Sequence, residues 1–386
     1  MTRHIITLLA LIISKSLLAQ NADHILKEMS DRLDQIKHIR YSFTRDIHYY
    51  DENYHTKSDG VVYIEFNKKE DLTSLRFQGS TPKSMNVYNG KNYFMLDHTK
   101  KTISIETKKA AQILESSSYL YNSILTIKNL LPYLIQNKEV TKSVKDTSID
   151  SKTYWLINFE LYNEYVGNLG TREKFTKEYT GDKHKPYVII ADKTTLLPYS
   201  FTTKFKDKPE NIISARYIDI NINPKEPDEQ SWFYSTYSNY KAPDPEKELV
   251  KAGEKIFMWE LPYVTFQESD STYKFRAGKK PVLIEFWIKN CGYCMVAFSQ
   301  MKEWQKKFPG LEIISINAED EKEDVLFFRK KHQPLYPMLY KGEAMAEGFG
   351  VSAYPQVLLV DKDGTITYAG SLVKDVVEKE IRKLVH

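Results

Sequence analysis

Cysteine is nearly absent from this chain, with two in 386 residues. That excludes a framework of structural disulfides and a zinc site built on four thiolates. Charge of one sign is lacking as well. Lys plus Arg number 55 against 51 Asp plus Glu, and the net charge of +4 is spread along the chain, which leaves no dedicated surface for nucleic acid. The nine histidines are scattered without a second paired-ligand motif, so no metal is expected. Nor do the segments form a repeat array. What remains is a globular composition, 41% hydrophobic and 27% charged, in a chain long enough for two domains of about 150 to 200 residues each. An aromatic share of 13%, with 27 tyrosines, favours β-rich structure.

The two cysteines stand together as Cys291, Gly292, Tyr293 and Cys294, just after an apolar run over 281–287. Two thiols separated by two residues, where a buried strand turns into a helix, can close a small disulfide ring. Apolar residues then recur at spacings of three and four through Met295, Phe298, Met301, Trp304 and Phe308, so Cys291 opens an amphipathic helix. The unpaired N–H groups of a helix N-terminus stabilise a thiolate, which favours Cys291 over Cys294 as the nucleophile. A structural staple usually closes a longer loop than this one, since loop-closure entropy is the source of its stabilisation. The pair is therefore expected to be redox-active, with no metal or organic cofactor.

Arg3 and His4 precede an apolar stretch over 5–13, and residues 1–20 read as a secretory signal cleaved near Ala19 or Gln20, although Lys15 and Leu17 are atypical. The stretch is shorter than the ~20 apolar residues of a spanning helix. No cysteine lies near the cleavage point, which excludes a bacterial lipoprotein anchor. An exported chain whose only thiols form one C-x-x-C fits the periplasm, an oxidising compartment. Periodicity predicts a helix over 22–39, strands near 60–66, 75–77, 85–88, 92–96 and 102–105, and a hairpin turn at Asn89-Gly90. Helical patterning over 110–135 is broken or kinked at Pro132, and strands resume near 153–159, 187–190, 200–205 and 215–222. Residues 21–225 thus read as an α+β domain. Residues 226–252, with Pro227, Pro243 and Pro245, read as a linker, with Trp232, Phe233 and Tyr234 packing on the first domain; an extra irregular strand region is the alternative. From 253 to 386 the pattern is α/β: short apolar runs over 282–287, 311–316 and 357–360 alternate with helical segments, as strands buried on both faces do.

Phe286-Trp287, the C-x-x-C, Ala353-Tyr354-Pro355 ahead of a buried strand, and the turn over 361–364 together resemble a thioredoxin fold. Residues 310–317, the helix over 324–331 and the segment 349–351 resemble its TlpA/ResA-like thiol-disulfide oxidoreductases more closely. The resemblance makes Cys291 the attacking thiolate and Cys294 the buried resolving thiol. Pro355 becomes the cis-proline facing the disulfide, with the backbone of Tyr354 pairing to an extended substrate segment and Trp287 packing beside the site. Glu285, six residues before Cys291, matches the family's buried acid, which is aspartate in thioredoxins. A carboxylate there could accept the proton of Cys294; the alternative is a glutamate facing solvent at a sheet edge. Tyr293 replaces the proline of thioredoxins, and Gly-Tyr is the dipeptide of periplasmic disulfide isomerases, so the redox poise stays open. Ala297 stands where many relatives carry an acid, and Ser299 where thioredoxin has a helix-kinking proline. Ile288 stands where peroxiredoxins carry threonine, which disfavours peroxidase chemistry.

The first domain, with the turn over 192–199 leading into a strand, resembles the LolA-like superfamily, in which a curved antiparallel sheet wraps helices and leaves an apolar groove for acyl chains. A module that brings protein substrates to the redox site is the alternative. The expected function is an exported thiol-disulfide oxidoreductase that reduces protein disulfides and draws on an upstream electron donor. Disulfide isomerase or oxidase activity, or lipid or lipoprotein binding with an accessory redox domain, are the alternatives.

Overall fold

The computed structural model describes residues 22–385 except 68–72, 177–180, 246, 257, 266–268, 279 and 290; the signal expected over 1–20 lies outside the described residues. The chain divides into two compact units after Pro243.

In the first unit the helix predicted over 22–39 spans 22–34 and gives way to a strand at His38. That strand, His38–Tyr49, pairs along its whole length with Tyr54–Phe66. The two form the middle of an eleven-stranded antiparallel sheet. On one side follow Leu75–Ser80, Ser84–Tyr88, Tyr93–Asp97 and Thr102–Glu106; on the other follow Ile212–Asn221, Pro198–Lys204, His184–Asp192, Lys152–Tyr162 and Thr141–Ile149. Side chains alternate between the faces of a strand, and the two faces are covered differently. Tyr41, Phe43, Val62 and Ile64 bury against the helices 22–34, Ala110–Ser116 and Ile124–Gln136. Tyr63, Val87, Phe94 and Leu96 pack on the opposite face with Trp232. Trp232 is buried, while Phe233 and Tyr234 stay nearly half exposed. The helix Ile124–Gln136 opens on a capping box between Ser123 and Thr126 and continues past Pro132.

The second unit is built on a seven-stranded sheet in the order Asp270–Phe275, Trp259–Val264, Met338–Leu339, Glu312–Asn317, Val282–Trp287, Gln356–Val360, Ile366–Ser371. The strand Val282–Trp287 is interior, parallel to Glu312–Asn317 and antiparallel to Gln356–Val360, and all six of its residues are buried. That is why its sequence does not alternate. Leu283 and Trp287 face one layer with Phe298, Met301 and Trp304 of the helix Gly292–Lys307, Val325 and Phe328 of Lys322–His332, and Val377 and Ile381 of Lys374–Leu384. Val282, Ile284 and Phe286 face the other layer with Ala346 of the helix Glu343–Phe349. The result is an α/β sandwich with the central strand aimed at the start of the helix Gly292–Lys307.

Candidate active site

The central strand ends at Trp287 and the helix begins at Gly292, so the turn between them delivers Cys291 to the helix N-cap. Cys291 and Cys294 are joined as a disulfide with their Cα atoms 5.1 Å apart. The Cys294 N–H donates to Cys291 Sγ at 3.1 Å, so the positive end of the helix falls on that sulfur. Their accessibilities differ: Cys291 is partly exposed, whereas Cys294 is fully buried in the layer beneath the helix. Tyr293 projects from the first turn of the helix, 78% exposed. Ala297 is buried, and the helix runs unbroken through Ser299.

The Tyr354-Pro355 peptide is cis. Tyr293, Val296 and Ala297 from the helix meet Tyr354, Pro355 and Leu372 around an open groove of about 240 Å³, with no charged side chain in its lining. The tertiary fold thus gathers Tyr293, which stands between the two cysteines, with Tyr354 and Pro355 around one groove, although they lie some sixty residues apart in the chain. Trp287 sits beneath, fully buried, with edge-to-face contacts to Phe298 at 5.0 Å and Phe328 at 5.4 Å.

Glu285 is fully buried, and strand alternation puts it on the face of Leu283 and Trp287, the layer that holds Cys294. It is not at a sheet edge. Directly across the parallel register stands Ser315, whose Oγ donates to Glu285 Oε2 at 2.6 Å, while Oε1 has no hydrogen-bond partner. Burial pushes the Glu285 carboxyl up to about 8, against the opposing pull of the Ser315 hydrogen bond. Tyr336, also buried, has an unpartnered hydroxyl, and burial together with the nearby Glu285 charge raises it well above the ordinary phenol range. Ser315 and Tyr336 were not singled out from the sequence. The available signal was a lone hydroxyl inside the apolar run over 311–316. Among the described residues no group of three His, Cys, Asp or Glu side chains is placed to hold a metal ion.

Comparison with known proteins gives a family match inside this unit. The model of the AhpC/TSA family matches residues 252–369. Thiol-disulfide oxidoreductase ResA of Bacillus cereus is 25% identical over 156 residues, covering 39% of this chain and 87% of the relative. Thioredoxin-like protein YneN of Bacillus subtilis is 25% identical over 123 residues, covering 30% of this chain and 72% of the relative. Among solved structures, the thioredoxin domain of a thiol-disulfide oxidoreductase from Bacteroides vulgatus aligns at 18% identity over 36% of this chain and 99% of that one, with a TM-score of 0.30. StoA from Bacillus subtilis aligns at 15% identity over 32% and 96%, with a TM-score of 0.27. With the family match, the relatives and a dithiol pair at the head of its central strand, the C-terminal unit belongs to the thioredoxin superfamily and is a thiol-disulfide oxidoreductase domain.

Proposed function

We propose that this chain is an exported, periplasmic protein that reduces protein disulfides through Cys291 and Cys294. The observation that carries the reading is the asymmetry of the pair, one sulfur partly exposed at a helix N-cap and the other sealed beneath it. The Cys291 thiolate attacks a substrate disulfide and forms a mixed disulfide with one substrate sulfur. Cys294 then attacks Cys291 Sγ, closes the internal disulfide and expels the second substrate thiolate. Glu285 takes the Cys294 proton. Because its carboxyl is pushed up to about 8 in the disulfide form, the same group is protonated near neutral pH and can return the proton when the disulfide is reopened. Tyr354 and Pro355 present the backbone against which an extended substrate segment pairs, Tyr293 lies over that segment, and Trp287 supports the turn from below. Each turnover consumes two electrons, so an upstream donor completes the cycle.

Export rests on the signal-like residues 1–20, and the reductive direction on the resemblance to ResA-type relatives. A disulfide isomerase is the competing reading, favoured by the Gly292-Tyr293 dipeptide. The reduction potential of the purified protein, equilibrated against glutathione or dithiothreitol, separates them. A value at or below about −270 mV supports the reductase, and one of about −120 to −180 mV replaces it with an oxidase or isomerase. For the first unit, a LolA-like role in holding a lipid or lipoprotein is supported by three helices packed on one face of a large antiparallel sheet. Extraction of the purified chain and mass spectrometry of the organic phase tests it, and a lipid-free protein that binds no fatty-acid probe overturns it.

A further inference from the structure

Two adjacent strands and the segment leading into a third contribute polar groups to one largely apolar layer beneath the active-site helix. Glu285 comes from the central strand, Ser315 from its parallel neighbour, and Tyr336 from the segment leading into Met338–Leu339, which pairs with the Ser315 strand. All three are buried, and Cys294 and Tyr336 lie in the same packed cluster as Leu283 and Trp287, the residues that flank Glu285 on its face. Of the remaining groups around this layer, Val357 stands opposite Glu285 on the antiparallel side, and Val377 and Ile381 come from the last helix. His332, at the end of Lys322–His332, stacks on Phe328, Tyr340 is buried in the same cluster, and Tyr354 and Tyr368 pack against it. No lysine or arginine contributes to the carboxyl of Glu285 among the described residues; its hydrogen bond comes from Ser315 alone.

A carboxyl group has two oxygens, and here they are unequal. Oε2 is held by the Ser315 hydroxyl at 2.6 Å, and Oε1 is buried with no partner. An unpaired buried acceptor is costly unless it has work to do. We infer that Ser315 is a positioning residue for the redox reaction, holding Oε2 of Glu285 so that Oε1 is the atom that exchanges the proton of Cys294. The inference rests on the assignment of Glu285 as proton acceptor. In the resolving step the Cys294 S–H bond breaks and its proton passes to Oε1 of the carboxylate. The sulfur's electron pair forms the bond to Cys291 Sγ. The bond between Cys291 and the substrate sulfur breaks, and its electron pair leaves with the substrate thiolate. The dithiol is oxidised and the substrate disulfide is reduced by two electrons. Ser315 neither gains nor loses a proton; its hydrogen bond favours the ionised carboxylate that the step requires.

The test uses the full chain, reduced and mixed with Ellman's reagent in stopped flow. The first thionitrobenzoate release reports attack by Cys291, and the second reports resolution by Cys294. In Ser315→Ala the pH midpoint of the second release moves up by about one unit, and its rate at pH 7 falls about tenfold, because the ionised carboxylate has lost a hydrogen bond. The first release is unchanged, and Ser315→Thr, which keeps the hydroxyl, behaves as the native protein does. An unshifted second release in Ser315→Ala, in a background where Glu285→Gln does alter it, overturns the positioning role and leaves Glu285 as acceptor. A second release unaffected by Glu285→Gln removes the acceptor and the inference with it. Should Ser315→Ala not fold, Ser315→Thr and Ser315→Val, which differ by a hydroxyl for a methyl, put the same question, and identical pH profiles for the two overturn the inference.

Discussion

Replacing Glu285 by glutamine in the disulfide form removes one titrating proton from the interior of the C-terminal unit while keeping the shape of the side chain and an acceptor for the Ser315 hydroxyl. The consequence for stability has a definite sign. Burial raises the folded-state carboxyl from 4.5 to about 8, so the folded protein keeps a proton that the unfolded chain gives up. Below pH 4.5 both states are protonated and the group imposes no penalty. Between 4.5 and 8 only the unfolded chain ionises, and stability is lost steadily until the folded carboxyl ionises too. Each pH unit of that window costs about 1.36 kcal/mol, so its full width costs about 5 kcal/mol, a large share of a domain's net stability. Glu285→Gln does not incur this loss. The assay is guanidinium unfolding of the oxidised full chain at a series of pH values, read by hydrogen exchange in peptides spanning 282–307. The difference between variant and native protein should widen in the variant's favour from pH 4.5 to 8 and level off above. A constant difference across that range would mean that the folded carboxyl titrates at its ordinary value. Glu285 would then be solvated, and the argument from burial would fail.

Three further substitutions probe other parts of the reasoning. Cys294→Ser leaves Cys291 able to attack but unable to be released, so a stable mixed disulfide with a protein substrate accumulates and is seen as a mass adduct, whereas Cys291→Ser gives none. Phe298→Ala empties the space between Trp287 and His332, which the ring fills at 5.0 Å from each, and should destabilise the C-terminal unit by about 3 to 5 kcal/mol in denaturant unfolding. Gly79→Ala tests the first unit: a Cβ there lies 2.3 Å from the Tyr119 ring, which must move, and a loss of about 1 to 3 kcal/mol is expected in the same measurement.

The parts of this fold that could be read from the sequence are those where local pattern and burial coincide. The run over 282–287 is apolar apart from one acid because both faces of its strand are covered, and that single exception is Glu285. The cysteines follow where this buried strand hands over to an amphipathic helix. Where burial and pattern part company, the elements are hidden. The strand His38–Tyr49 turns Arg45 inward beside Phe43, with its guanidinium bonded to the Tyr121 carbonyl, so the apolar alternation breaks in the middle of the sheet. Thr141–Ile149 is an edge strand that buries only Val144, too little to leave a period. Trp259–Val264 contains Pro262, which argues against a strand until its pairing with Asp270–Phe275 is seen. Ser315 is hidden for another reason. Its strand is legible, but its importance lies in standing opposite Glu285, and that register is set by the crossover through the helix Gly292–Lys307. The C-x-x-C opens that same helix, so the element that holds Cys291 at its N-cap and buries Cys294 beneath it also fixes which residue meets the buried acid. A substitution that slips this crossover without touching either cysteine should therefore change the pH dependence of resolution while leaving the first attack intact.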